Sequence, residues 1–241
     1  VLGWFLMQPH LKRLGGTWRG IGVLDRGQLA KLMKINGDIF VRTMALTSAF
    51  ALFTSFSARF GEVTLAANAV LQNFLMFGSF ALDGFAHAAE TLVGQAYGAE
   101  RRKQFLWAVR KTTVWGIVSA VCMAAIFAVT GPWIIDALTS IPEVREASYT
   151  YLLWAVILPV TGVLGFQFDG VFLGAMQTKH WRNMMLVSVG IYALMAWGAV
   201  AMDSNHLLWA AFNAFFLLRG LTLAVLFPTI IPDRRVATMR A

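Results

Sequence analysis

Asn68, Gln72, Ser79, Asp83, His87, Glu90 and Gly94 follow one another at steps of three, four or seven residues. At the rotation of a helix, all seven fall within an arc of about 100°, a polar stripe on a single helix face. Asp83, His87 and Glu90 stand on adjacent turns, so the imidazole can reach either carboxyl, and each charge changes the proton affinity of the others. Such a row can pass protons. From Asn68 to Glu90 the stripe is about 33 Å long at the standard rise, close to the thickness of a bilayer core.

Ionisable groups in such a place are costly, and they usually face a water-filled path or one another. A second candidate carboxylate, Asp169, lies beside Gln167 in Gly165-Phe-Gln-Phe-Asp-Gly. Gly170 and Gly174 behind it form a small-xxx-small pair that allows a close helix crossing. Arg219, inside an apolar run, needs an anionic partner, and Asp83 and Asp169 are the available ones by type. Arg42, near a helix start, is expected to snorkel to the interface. Asp83, His87, Glu90 and Asp169 are thus candidates for ion coupling; Asn68, Gln72, Asn73, Gln167 and Arg219 are candidates for cavity or support roles. Phe74, Phe77, Phe80, Phe85, Trp154 and Phe166 are candidate cavity walls for flat apolar cations.

The elements that carry these residues must be membrane helices. Of 241 residues, 58% are hydrophobic and 13% charged, with mean hydropathy +0.65, whereas a soluble domain has about 25% charged residues. Six apolar segments predict spans at Ile35 to Phe60, Val63 to Tyr97, Phe105 to Thr130, Glu143 to Met176, Trp181 to Met202 and Leu207 to Phe227. Pro159 and Gly162 offer a bend in the fourth. The fold class is therefore all-α, a polytopic bundle of six transmembrane helices.

Charge gives the orientation. The net charge is +8, and 16 of the 20 Lys and Arg fall on one side of the alternating connections, with Arg59 and Arg145 alone at the borders of the other. By the excess of Lys and Arg on cytoplasmic loops, that side and the C-terminus are cytoplasmic. The alternation accounts for the basic balance without nucleic acid, which would instead require a continuous basic face on a folded domain. Membrane lipid is an expected partner. The lone Cys122 excludes an intrachain disulfide and is expected in lipid contact or helix packing.

The four histidines stand far apart on different segments, no residues have metal-ligand spacing, and no phosphate-cradling loop is present. An enzyme is therefore not expected, and neither is a cofactor; an intramembrane acid–base site on Asp83 and His87 is a minor alternative. Residues 1–8, beginning at Val1, are expected to be the end of a truncated helix. Residues 9–34, with Gly15, Gly16, Gly20, Gly22 and Gly27 among charges and an amphipathic end near Leu29 to Ile35, are expected to be a cytoplasmic linker. The lobe occupies 35–228 and a cytoplasmic tail 229–241.

Two stretches of the second helix, Leu65-Ala-Ala-Asn-Ala-Val-Leu-Gln-Asn-Phe and Ala89-Glu-Thr-Leu-Val-Gly-Gln-Ala-Tyr-Gly-Ala, resemble the eighth helix of the MATE (multidrug and toxic compound extrusion) family. The run from Ala81 to Gly94 resembles its DinF-type branch, and the likeness extends to Gly-Ala-Met-Gln-Thr-Lys-His-Trp-Arg-Asn after the fourth helix. The resemblance implies that the chain is the C-terminal six-helix lobe of a twelve-helix transporter, partnered by an N-terminal lobe of the same parent protein. In many proton-coupled members the driving carboxylate is on the first helix, a position with no counterpart here. Sodium-type members use acidic residues on the seventh and tenth helices. Asp169 matches the tenth, but Thr43 to Thr54 has no carboxylate to match the seventh.

The expected function is secondary active efflux of amphipathic drugs or other small organic compounds, with H+ favoured over Na+ as coupling ion, across a bacterial inner membrane. A lipid-linked precursor flippase of a related fold is the alternative. Less expected is an inert fragment, since half a cavity would expose polar groups to lipid.

Overall fold

The structure is a computed structural model that describes residues 25–232. Residues 1–8, the linker up to residue 24 and the basic end from Asp233 lie outside the described residues. Six helices follow: α1 (Arg26–Ser57), α2 (Glu62–Gly98), α3 (Arg102–Leu138), α4 (Pro142–Gly174), α5 (Thr178–Ala201) and α6 (Asn205–Leu226), with short 3-10 turns at Ala58–Phe60 and Phe227–Ile230. Each helix is long and apolar enough to cross a membrane. Helices are the natural outcome for such a sequence, because hydrocarbon offers no partner to a backbone group left unpaired.

The chain divides into two compact units after Gly37. The described part of the first, residues 26–37, is helical, so the last turns of the expected linker belong to α1. Gln28, Leu29, Ala30, Lys31 and Leu32 are good helix formers, and Gly27 alone among them does not break the run. All that follows concerns residues 38–232.

A second departure from the sequence reading is at Gly131 and Pro132, expected in a connection but lying inside α3. Pro132 removes one backbone donor, and the apolar Trp133, Ile134, Ile135 and Leu138 continue the helix beyond it. The connection to α4 is thereby only Thr139–Ile141, after which Pro142 opens α4 at a position where its missing N–H costs nothing.

Three helices end in the same way. After α2, α4 and α5, the residues Glu100, Met176 and Asp203 adopt positive φ of 56°, 57° and 48°. The next amide then turns back to the helix: Arg101 to the Ala96 carbonyl (2.9 Å), Gln177 to Phe172 (2.9 Å) and Ser204 to Ala199 (3.1 Å). These bonds satisfy carbonyls that a helix end would otherwise leave open.

Helix α4 is the hub, lying against α2, α3 and α6. The seam with α2 is set by glycine. A Cβ at Gly170 would come 2.0 Å from the carbonyl oxygen of Ala86, and one at Gly174 would come 2.5 Å from that of Glu90. On the other flank a Cβ at Gly220 of α6 would meet Leu164 at 2.6 Å. Backbones approach this closely only where small residues leave room, the packing mode of membrane helices, and the Gly170–Gly174 spacing had predicted such a crossing.

Around this frame, Phe53, Tyr192, Trp209, Phe212, Phe215 and Phe216 form a buried aromatic core. Phe53 and Phe212 stand 4.5 Å apart between centroids, and Phe212 meets Phe216 edge-on at 5.2 Å. A second core gathers Phe105, Phe168, Phe172, Trp181 and Ile230. Ile230 is therefore packed, although the sequence assigned it to the tail.

Candidate functional site

A cavity of 670 Å³ opens between α1, α2, α4, α5 and α6. Helix α2 supplies one wall, with Gln72, Ser79, Asp83, His87 and Glu90 of the stripe and Asn73 beside it. Apolar lining comes from Leu46, Phe50, Leu75, Met76, Phe166 and Phe216, and the charged floor from Arg42, Asp169, Trp181 and Arg219.

The floor draws together four helices. Asp169 of α4 accepts from Arg42 of α1 and, through the same Oδ2, from Arg219 of α6 at 2.6 Å. Its Oδ1 takes the Trp181 indole N–H of α5 at 2.6 Å. Arg42 also lies over the Trp181 ring at 4.0 Å, and Arg219 faces Phe166 at 5.0 Å and Phe216 at 5.5 Å. Gly165 makes room for Arg219, since a Cβ there would be 3.2 Å from its Nε.

Arg219 thus finds Asp169, one of the two partners its type allowed. Arg42 departs from the expected snorkelling: it is buried and turned into the bundle, because the carboxylate and the indole face together compensate its charge better than a reach to the interface. One turn before it, Asp38 is also buried; it accepts from Thr178 Oγ1 at 2.9 Å and pairs with Arg182, both from the start of α5.

On the α2 wall, His87 and Glu90 approach at 3.4 Å, with His87 exposed and Glu90 half-buried. Asp83, half-buried, has no hydrogen bond to His87 or to either arginine, so the imidazole leans to one of its two candidate carboxylates. Asn73 turns back on its own helix, donating to the carbonyls of Ala69 (3.0 Å) and Val70 (3.1 Å).

Asn68 and Gln167 lie outside the cavity. Asn68 donates to Ser57 Oγ (2.8 Å) and Asn205 Oδ1 (2.8 Å), and accepts from Asn205 Nδ2 (3.1 Å) and Trp209 Nε1 (2.8 Å). Every hydrogen-bonding position of that amide is used, and α1, α2 and α6 are tied together. Gln167 is buried and donates to Thr112 Oγ1 of α3 at 2.6 Å. Among the candidate aromatics, Phe166 borders the cavity, Phe74 is buried, Phe77 and Phe80 are exposed, and Trp154 donates to His206. Cys122 is exposed.

Sequence reasoning missed Trp181 as a member of this floor, and Asp38 with Arg182 as the buried pair one turn away from Arg42. One signal was available: Asp38 and Arg42 stand four apart on α1, and Trp181 and Arg182 are adjacent at the start of α5. No spacing rule, however, links two segments so distant in the chain.

Comparison with known proteins then gives a consistent set of likenesses. Residues 39–197 match the MatE family. The chain is 36% identical to DNA damage-inducible protein F of Escherichia coli over 94% of its own length and 49% of that protein. It is 23% identical to Protein DETOXIFICATION 23 of Arabidopsis thaliana, over 80% of this chain and 39% of the other. Among solved structures, a MOP superfamily transporter from Pyrococcus furiosus aligns with TM-score 0.65 and 12% identity, over 86% of this chain and 49% of that one. The chain spans about half the length of these proteins or less.

Proposed function

The chain belongs to the MatE family, and on that premise we propose that it forms one six-helix lobe of a secondary active exporter that exchanges amphipathic organic compounds for protons. It is a multi-pass membrane protein, and its family is one of transporters rather than enzymes. The N-terminal six-helix lobe of the same parent protein is its proposed partner, closing the open side of the cavity.

The observation that carries the reading is the α2 wall: Asp83 and Glu90 border a cavity with aromatic lining, and neither is bonded to an arginine among the described residues. Ionised, they attract the cationic part of a substrate; protonated, they release it. Binding of proton and of substrate is then mutually exclusive, and rocking of the two lobes delivers each to the opposite face. His87, beside Glu90, passes the proton. Asp169, already held by three donors, acts as a positioning group for Arg42 and Arg219 and not as the exchange site.

Lys and Arg of the α2–α3 and α4–α5 connections favour a cytoplasmic placement for that face and for the C-terminus, in a bacterial inner membrane. Lipid surrounds the exposed Trp107, Trp115, Trp133 and Trp197. No nucleic-acid partner is proposed. The flippase alternative is favoured only by Arg42 and Arg219, too few to make the basic central cavity that a lipid-linked precursor calls for.

The test is efflux of a fluorescent organic cation from proteoliposomes under an imposed proton or sodium gradient. Proton-driven efflux should be lost in Asp83→Asn/Glu90→Gln, with the protein still folded. A double variant as fast as the unsubstituted protein overturns the exchange mechanism, and efflux driven by sodium alone overturns the choice of ion.

A further inference from the structure

The charged floor of the cavity holds more donors than the protein uses. Asp169 already accepts from Arg42, Arg219 and the Trp181 indole. Each guanidinium carries a fork of N–H groups, and each uses one terminal nitrogen, on the same carboxylate oxygen. Arg42 Nε and Arg219 Nε are buried without a partner among the described residues. Two guanidiniums against one carboxylate leave one positive charge that no contacting group balances, in a setting where burial of unpaired charge is costly.

Neither arginine is free to leave. Arg42 is stacked on Trp181, and Arg219 is held between Phe166, Phe216 and the glycine face at Gly165. Both nevertheless line the cavity. The two Nε groups are closed off inside the bundle, but each guanidinium also has a second terminal nitrogen with no hydrogen bond among the described residues, and a cation immobilised on aromatic faces with such a donor to spare is suited to an oxyanion. The carboxylates Asp83 and Glu90 are on the α2 wall of the same cavity, apart from the arginines, with Met76, Phe50 and Leu46 also in its lining. The site therefore presents acid on one wall, base on the floor and apolar surface besides.

We propose that the cavity takes an amphoteric amphipath, a compound whose acidic group, carboxylate, sulfonate or phosphate, is held by Arg42 and Arg219 while its cationic centre faces Asp83 and Glu90. The cationic half of this assignment rests on the exchange mechanism above; the acidic half rests on the arginine donors alone. A substrate without an acidic group leaves the floor charge bare, and one with it offers the acceptor that the floor lacks.

The probes are a rhodamine with a free carboxylate and its ethyl ester, which differ only in the acidic group. Binding is measured at equilibrium by fluorescence anisotropy, with the protein in lipid nanodiscs and no gradient. The acid should bind roughly tenfold tighter than the ester, the worth of a charge-assisted hydrogen bond. In Arg42→Gln the acid-to-ester ratio of Kd should approach one, and in Arg42→Lys part of the preference should return. Equal affinities in the unsubstituted protein, or tighter binding of the ester, overturn the proposal, and that comparison decides even if Arg42→Gln does not fold. Preference for the acid that survives in a folded Arg42→Gln also overturns it, since the acidic group is then read elsewhere. Loss of proton-driven exchange with acid preference intact would remove the exchange mechanism and leave the arginine site standing.

Discussion

Two of the polar clusters that tie α1 to the rest of the bundle are built on opposite plans. At Ser57, the last residue of α1, the Asn68 amide uses both its donors and both its acceptors on Ser57, Asn205 and Trp209. About 22 Å earlier on the helix, by the standard rise, Arg42 joins Arg219 and Trp181 on Asp169 in a cluster that keeps a net charge and unused donors. The first is neutral, complete and away from the cavity; the second is charged, incomplete and lines it. A completed network fixes geometry and has nothing left to offer a ligand. An incomplete one carries a cost that a ligand can relieve.

The largest effect comes from removing the frame both clusters depend on. Gly170→Val would drive side-chain atoms into the Ala86 carbonyl, which a bare Cβ would already meet at 2.0 Å. We expect no folded protein, judged by a monodisperse peak in mild detergent. A normal peak would show that the α2–α4 seam yields and that the clusters do not need it.

Next is Asp169→Ala, which leaves two buried guanidiniums without their common counter-ion. Breaking a buried pair in this way costs about 3–5 kcal/mol, read from unfolding by a denaturing detergent. A loss as small as that of a surface charge would mean that water already compensates the arginines, and the contrast between the clusters would fall.

Smallest is Asn68→Leu. The cluster is neutral, and interhelical hydrogen bonds in membrane proteins are worth about 0.6 kcal/mol each, rarely above 1.7, so a loss of about 1–2 kcal/mol in the same assay is expected. Gradient-driven efflux per folded molecule should stay near that of the unsubstituted protein. Stability unchanged but efflux abolished would move Asn68 from the frame to the transport path, and the comparison would need redrawing.

Much of this was legible in the chain, and the rest was hidden for identifiable reasons. Long apolar runs led to six helices, and the Gly170–Gly174 spacing to a close crossing, because these are local properties of one segment. The polar face of α2 was also visible, but its angular arc did not separate Asn68 from Gln72 or Asp83. Only the start of α6 at Asn205 makes the outer end of that face a closed cluster. Arg42 was misjudged because a cation near a helix start has two outlets, the interface or a buried carboxylate. The second depends on Asp169, 127 positions away. Helix boundaries at Gly131–Pro132 and before Ile35 were drawn at breakers and charges that the surrounding helix formers outweigh.

The glycine seam has a consequence for how this protein can diverge over generations. Glu90 gives its backbone to Gly174 and its side chain to the cavity. Ala86 and Glu90 therefore meet the two glycines of α4 through atoms that every amino acid shares. Replacing side chains on the cavity face changes what is bound without disturbing the crossing, so the lineage can explore new cargo while its architecture stays put. The reverse does not hold at Gly170 and Gly174, where any side chain would be felt through the whole lobe; drift should be slow at those two positions and faster at the cavity-facing positions of α2 other than Asp83, His87 and Glu90.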